Sequence, residues 1–294
     1  MDLEAYMRRC RTAVEAALNR ALPDETVDPT ELHRAMRYSV LAPGKRLRPI
    51  LVLASAEAVG ADPNRVMHAA CGLECIHAFS LIHDDLPCMD DDDYRRGRPT
   101  NHVLFGEALA LLAGDALLAL GFELLTEDRS DLDPVRRVQA LNMVARASGT
   151  RGMVGGQVAD MESEGQSIDA DALRKIHASK TGALLMASAS VGAMLVGADD
   201  SRVRSLMKYG EHIGLAFQIT DDILDLVGDE SRIGKRVGSD LRQNKATYPK
   251  VLGLEVSREF ACAEVEQAIE AIIEFGPAAE PLRAVARYVV ERDR

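Results

Sequence analysis

Residues 103–125 read VLFGEALALLAGDALLALGFELL, and the fold class turns on what this run becomes. A hydrocarbon core of about 30 Å takes roughly 20 residues of helix, so the run is long enough to cross a bilayer. Glu107, Asp115 and Glu123 interrupt it, and each would be costly in hydrocarbon. The expectation is a buried core helix and no membrane span. On either side, apolar residues recur close to every 3.6 positions along almost the whole chain, with breaks at Pro and Gly clusters. Runs of strand-like alternation are lacking. Helices are expected over 3–20, 29–42, 45–60, 63–86, 102–125, 133–150, 152–163, 170–177, 179–197, 202–227, 247–272 and 279–291. Asp28 ahead of Pro29 and Asp62 ahead of Pro63 have the form of N-caps with Pro at the first helical position. No low-complexity linker divides the sequence. The reading is all-α, a single domain over 1–294.

Composition agrees. Trp is absent and aromatic residues are 4%, while Ala, Leu and Met abound; these side chains lose little entropy in a helix. With 47% hydrophobic and 28% charged residues, the chain reads as soluble and globular. A net charge of −11 argues against nucleic acid as a partner, because phosphate backbones need a basic footprint. Cys10, Cys71, Cys75, Cys88 and Cys262 form no CxxC pair, so neither a disulfide framework nor a zinc site is indicated. The N-terminal MDLEAYMRRCRTAVEAAL lacks a signal-peptide core, and a cytoplasmic setting is expected. Residues 183–196, ALLMASASVGAMLV, are rich in small side chains. They suit close helix packing, or else the wall of an open apolar cavity; composition favours the first.

The chemistry gathers in two acidic clusters. IHDDLPCMDDDDYRRGRPT, residues 82–100, places six carboxylates between Asp84 and Asp93, with Arg95, Arg96 and Arg98 close behind. Pro87 ends any helix that carries Asp84 and Asp85, and Asp90 returns a carboxylate from the following turn. Oxygen-only ligands of this kind suit Mg²⁺, which uses one or two carboxylates together with substrate phosphates. The bland alternative is a solvated acidic turn. The second cluster, FQITDDILD at 217–225, sets Asp221, Asp222 and Asp225 in an apolar stretch. Asp221 and Asp225 share one helix face about 6 Å apart along the axis, with Gln218 one turn earlier. Like charges there repel unless cations compensate.

Cations are at hand. APGKRLRP supplies Lys45, Arg46 and Arg48; SKTG supplies Lys180 and Thr181; Lys235 and Lys245 follow the second cluster. Lys180 and Thr181 are expected at a helix start, where backbone N–H groups favour anions. Any one of these lysines could be ordinary surface charge, but their position beside apolar-flanked carboxylates argues for bound polyphosphate. His77 lies two turns before Asp84. Glu74-x-x-His77 has the spacing of a di-iron bundle, yet no second such motif follows, and a phosphate-contacting imidazole is the better reading.

Taken together, HDDLPCMD…RRG, GKRLRP, KTG, FQITDDILD and GKRVGSDLRQNKATYP resemble the motifs of trans-isoprenyl diphosphate synthases, in that family's order, from about residue 30 to 291. The resemblance implies an all-helical isoprenoid synthase bundle around a deep central cavity, acting as a homodimer. It implies two aspartate motifs facing each other across the cavity mouth. Asp84, Asp90 and Asp221 would then ligate three Mg²⁺, with Mn²⁺ as a substitute, and Asp85 and Asp225 would stand close behind. Arg95, Lys180, Thr181, Gln218 and Lys235 match positions that contact the allylic diphosphate. Lys45, Arg48, His77 and Arg96 match the isopentenyl diphosphate pocket, with Arg46 nearby. GGQVAD also fits, placing Gln157 and Asp160 near the site.

The implied reaction is head-to-tail condensation of isopentenyl diphosphate with dimethylallyl and geranyl diphosphate. Phe79 lies five residues, about 7.5 Å, below Asp84, and Ser80 one turn below it. Family precedent for an aromatic there implies a floor that stops the chain at C15, all-trans farnesyl diphosphate; geranylgeranyl diphosphate is the alternative. A class I terpene cyclase fits less well, because its second motif places Ser/Thr and then Glu where Asp225 and Asp229 stand. It also needs no second diphosphate pocket. A non-catalytic subunit would be expected to lose an aspartate motif, and both are present.

Overall fold

Asp2 accepts a hydrogen bond from the Ala5 amide at 2.9 Å and starts the first helix, and helix follows helix from there. In the computed structural model, residues 1–127, 131–166, 168–227 and 245–291 are described. They form α1 (Leu3–Ala21), α2 (Thr30–Val40), α3 (Leu47–Ala58), α4 (Met67–Asp84), α5 (Asn101–Phe105), α6 (Glu107–Thr126) and α7 (Pro134–Ser148). There follow α8 (Met153–Ser163), α9 (Ala170–His177), α10 (Ala183–Leu195), α11 (Asp200–Val227), α12 (Tyr248–Leu252), α13 (Leu254–Ala271) and α14 (Glu280–Glu291). The β-structure among the described residues is one hairpin, Tyr94–Arg95 with Arg98–Pro99. The fold is all-α, as the apolar periodicity predicts.

Several expected boundaries move. Asp62 does cap, accepting from the Asn64 amide at 3.0 Å, but it caps a 3₁₀ turn, Pro63–Val66, that leads into α4. Asp28 caps nothing: Pro29 itself is the extended residue before α2, and no side chain bonds that helix start. The expected helices 102–125 and 247–272 each break in two. Gly106 (φ 83°, ψ 154°) and Gly253 (φ 84°, ψ 157°) stand at the breaks, in a region open essentially to glycine alone.

Two glycines let α4 and α6 cross closely. A Cβ on Gly72 would meet the Gly121 carbonyl at 2.7 Å, and one on Gly121 would meet the Gly72 carbonyl at 2.8 Å. α10 lies between α3 and α11, and its small residues are buried in that packing, so the close-packing reading of 183–196 holds. A smaller apolar cluster, with Leu173, Leu215, Ile219, Ile223 and Tyr248, ties α9, α11 and α12 together below the second acidic cluster.

The expectation for 103–125 needs correction. Only 33% of the apolar window of α6 is buried, against 72% for the helical stretch Pro63–Asp84. Val103, Leu104, Leu111 and Leu112 are each about half exposed. Leucines and alanines lie on every side of the run, one side packs on α4 and α2, and the other faces outward.

Candidate active site

The end of α4 makes the first wall. The Asp90 amide donates to the Asp84 carbonyl at 2.9 Å, so the loop folds back and sets Asp90 beside the helix terminus. Burial pushes the Asp84 carboxyl up to about 6, with Asp90 and Asp85 adding to it and Lys180 and Arg95 opposing. Asp85 turns the other way. Its Oδ1 accepts from Arg95 Nε at 2.7 Å and lies 2.6 Å from Arg95 Nη2, and its carboxyl does not line the acidic mouth. Arg95 comes from the hairpin, whose turn residues Arg96 (φ 53°) and Gly97 (φ 72°) are both left-handed, the form of a type I′ turn. That turn lays the Arg96 guanidinium on the Pro43 carbonyl at 3.1 Å and against Gly44, where a Cβ would stand 2.5 Å from Nη1.

The second wall is α11. Gln218, Asp221 and Asp225 reach the mouth opposite Asp84 and Asp90. Asp222, unlike Asp85, also borders the mouth; it accepts from the Tyr248 amide at 3.0 Å and from Gln218 Nε2 at 3.1 Å. Lys180 and Thr181 supply a third side. Here the structure departs from expectation, since they sit in a π turn, Ala178–Gly182, that joins α9 to α10 without a break. There is no helix start at this point, and the argument from free backbone amides falls. Single π turns inside α-helices often mark functional sites. Lys180 Nζ donates to Asp160 Oδ2 at 2.6 Å, and Thr181 Oγ1 donates to Gln218 Oε1 at 2.9 Å. The approach of α8 that brings Asp160 there requires Gly156, whose Cβ would lie 2.2 Å from the Lys180 nitrogen.

The remaining cations divide. Arg48, His77 and Arg96 line the deeper cavity. Burial lowers the Arg48 pKa to about 10. Burial, then Arg48 and Arg96, holds His77 well below the usual imidazole range, so it is neutral. Two guanidiniums and a neutral imidazole able to donate one hydrogen bond form a pocket suited to an anion. Arg46 is placed elsewhere: it adopts a left-handed conformation before α3, and Nη1 donates to buried Glu74 at 2.7 Å and Nη2 to the Ala42 carbonyl. That pair also removes Glu74 from any di-iron role. Lys45 sets its ammonium over the Tyr288 ring at 5.8 Å. Lys235 lies outside the described residues.

Three participants take positions that residue order does not give, although Lys245 is expected among the polyphosphate cations and Asp160 near the site. Lys245 donates to Asp90 at 3.0 Å and lines the mouth together with Asp221 and Asp225. Asp160 holds Lys180. His177 lines the mouth with a buried Nδ1 that has no partner among the described residues; its only signal in sequence is its place one turn before Lys180.

Two cavities meet at this site. One, of about 510 Å³, is walled by Phe79, Ser80, Met153, Val154, Val158 and Phe217. The other, of about 230 Å³, is the mouth, with Asp84, Asp90, Asp160, Asp221, Asp225, Lys180 and Lys245. They share Leu81, Asp84, Arg95, Lys180, Gln218 and Asp221. A ligand with an anionic head and an apolar tail would place the bond between them at that ring.

The donor set fits Mg²⁺. Every acidic ligand at the mouth is a carboxylate oxygen, and among the described residues no three His, Cys, Asp or Glu side chains close around a point by themselves. A hard ion there must complete its shell with ligand oxygens and water, as Mg²⁺ does with phosphates.

The comparisons agree with the geometry. The family model "Polyprenyl synthetase" matches residues 29–280. The farnesyl diphosphate synthase of Geobacillus stearothermophilus is 48% identical over 269 residues, covering 91% of this chain and 90% of that protein. The geranylgeranyl diphosphate synthase of Cyanophora paradoxa is 45% identical over 293 residues, covering 99% and 97%. Among solved structures, an FPP/GFPP synthase from Zymomonas mobilis superposes with a TM-score of 0.87 at 39% identity, covering 98% of this chain and 99% of that one. The chain therefore belongs to the polyprenyl synthetase family and is a prenyltransferase of the trans-isoprenyl diphosphate synthase kind.

Proposed function

We propose that this protein condenses isopentenyl diphosphate head to tail (1′–4) with dimethylallyl and then geranyl diphosphate, in a Mg²⁺-dependent reaction that ends mainly at all-trans farnesyl diphosphate. The observation that carries the reading is the shared ring of Asp84, Arg95, Lys180, Gln218 and Asp221, where the acidic mouth opens into the apolar cavity.

Asp84, Asp90 and Asp221 would hold the Mg²⁺ ions, which supply positive charge to the departing diphosphate. Lys180 exchanges Asp160 for a phosphate oxygen when the allylic substrate arrives, and Arg95 and Gln218 orient the head group. Stabilising the charge that develops on a leaving group is where such fixed cations act most strongly. The allylic C–O bond breaks with its electron pair going to diphosphate, and the apolar walls keep the carbocation from water. Arg48, neutral His77 and Arg96 hold isopentenyl diphosphate so that its double bond attacks. The new C–C bond forms, and the proton lost from isopentenyl C2 goes to the released diphosphate.

Phe79 supports the C15 product. It lies on the α4 wall of the apolar cavity, one turn and a residue below Asp84. The C20 reading, geranylgeranyl diphosphate, rests on the similar Cyanophora enzyme, which is named for that product. A homodimer joined through α5 and α6 is part of the same proposal: their outward face carries Leu104, Leu111 and Leu112 half exposed, an apolar surface that a second copy would bury.

The test is product analysis. The purified protein is incubated with Mg²⁺, isopentenyl diphosphate and dimethylallyl diphosphate, and the dephosphorylated alcohols are separated by chromatography. Farnesol is the expected main product. Geranylgeraniol would establish the C20 reading instead, and no condensation by folded protein would overturn the proposal.

A further inference from the structure

We infer that Phe79 does not set product length alone: His83, one turn nearer Asp84, wedges the Phe79 ring over the cavity, and Gly114 on α6 is the notch that admits His83. The inference rests on Phe79 being the cavity floor, and it assigns to His83 the part of a positioning residue.

Phe79 and His83 are one helical turn apart, so their side chains lie on the same face of α4. Both border the 510 Å³ cavity. Their ring centroids are 4.7 Å apart and the planes meet at 72°, edge to face. The imidazole is fixed from behind. Nε2 lies 3.0 Å from the Leu111 carbonyl oxygen; a carbonyl only accepts, so Nε2 carries the proton. Asp115 Oδ1 stands 3.8 Å from the same nitrogen.

The fit is possible only because residue 114 has no side chain. A Cβ on Gly114 would lie 2.3 Å from His83 Nε2 and 2.4 Å from Cδ2. The imidazole therefore fills the place a side chain on α6 would take. Phe79 is 8% exposed, with the cavity on one side and this locked ring on the side of α6. It has no room to retreat as a growing chain presses on it. Remove the imidazole and the space at Gly114 becomes available to Phe79, which deepens the cavity without any change to Phe79 itself.

The experiment measures the C20:C15 product ratio at low conversion for the wild type, His83→Ala, Gly114→Ala, Phe79→Ala and the double variant His83→Ala/Phe79→Ala. Helical content by circular dichroism confirms that each is folded. His83→Ala is expected to raise the ratio at least tenfold, and Gly114→Ala, which evicts the imidazole without touching α4, to shift it in the same direction. His83→Gln, which keeps an N–H able to reach the Leu111 carbonyl, should restore most of the C15 product. The double variant should match Phe79→Ala alone, because His83 acts through Phe79 and the two changes are then not additive. An unchanged ratio in His83→Ala overturns the inference. A double variant with longer products than Phe79→Ala also overturns it, since His83 would then be a wall in its own right. A wild type that makes no condensation product would instead overturn the proposed function, which separates the two failures.

Discussion

The two aspartate pairs, Asp84–Asp85 and Asp221–Asp222, share a division of labour and differ in how it is enforced. Successive residues on a helix point about 100° apart, so only one member of each pair can face the mouth squarely. Asp84 and Asp221 do, at the ring where polar mouth and apolar cavity meet. Asp85 is turned out of the mouth, whereas Asp222 still borders it. Asp85 is bound by a guanidinium at 2.6 Å that arrives from the hairpin. Asp222 is bound by a backbone amide and a carboxamide, at 3.0 and 3.1 Å. The first wall thus draws on a charged side chain from the hairpin strand, and the second in part on the start of α12. A pair of adjacent aspartates looks alike in sequence wherever it occurs; what anchors the second member decides how much each pair tolerates.

The largest expected effects test the shared part of the comparison. Asp84→Asn and Asp221→Asn should each lower kcat on the order of 10³-fold, the cost of losing a group aimed at developing charge, as read by steady-state turnover. Similar losses at both would support the ring as the reacting centre; a loss at only one would break the symmetry. Next come the anchors. Asp85→Asn should cost about 100-fold, and Arg95→Gln more, because Arg95 also faces the head group; the double variant should be no worse than Arg95→Gln alone, because Asp85 acts through Arg95. Asp222→Asn should cost about 10-fold at most, since an asparagine oxygen still accepts from the Tyr248 amide. Equal losses at Asp85 and Asp222 would remove the distinction drawn here.

The smallest effect concerns acid stability near the second wall. Burial lowers His177 to about 4, with Lys180 adding to this and Asp160 opposing. Its value in the unfolded chain is about 6.5. The unfolded state therefore takes up the proton first as pH falls. The His177 contribution is fully present above about 6.5 and declines toward 4, by about 3 kcal/mol in all. His177→Gln should flatten that part of the urea-unfolding stability between pH 6.5 and 4. The same slope in both proteins would remove His177 from the account.

Much of this was legible from residue order, and the exceptions have physical causes. Helices follow from apolar periodicity, and the first acidic wall follows from Pro87 ending α4 at Asp84–Asp85. The breaks at Gly106 and Gly253 were hidden because glycine is tolerated within helices and declares a break only through its φ and ψ. The π turn at Lys180 adds one residue to a helical turn without a composition of its own. The outward face of α6 was hidden for a different reason: leucines and alanines on every side of a helix do not say which side finds a partner. Arg46 sits between Lys45 and Arg48 in sequence yet pairs with buried Glu74, because its left-handed backbone turns it inward. The Lys245–Asp90 and Lys180–Asp160 pairs join residues far apart in the chain, which local patterning does not reach.

On the proposed function neither wall holds metal alone, and a diphosphate completes the site between them. Isothermal titration of Mg²⁺ into the protein, with and without inorganic pyrophosphate, tests it most directly. Mg²⁺ by itself should bind weakly, with at least 100-fold tighter binding when pyrophosphate is present and loss of that gain in both Asp84→Asn and Asp221→Asn. Tight Mg²⁺ binding without pyrophosphate, or a gain that survives either substitution, would contradict it.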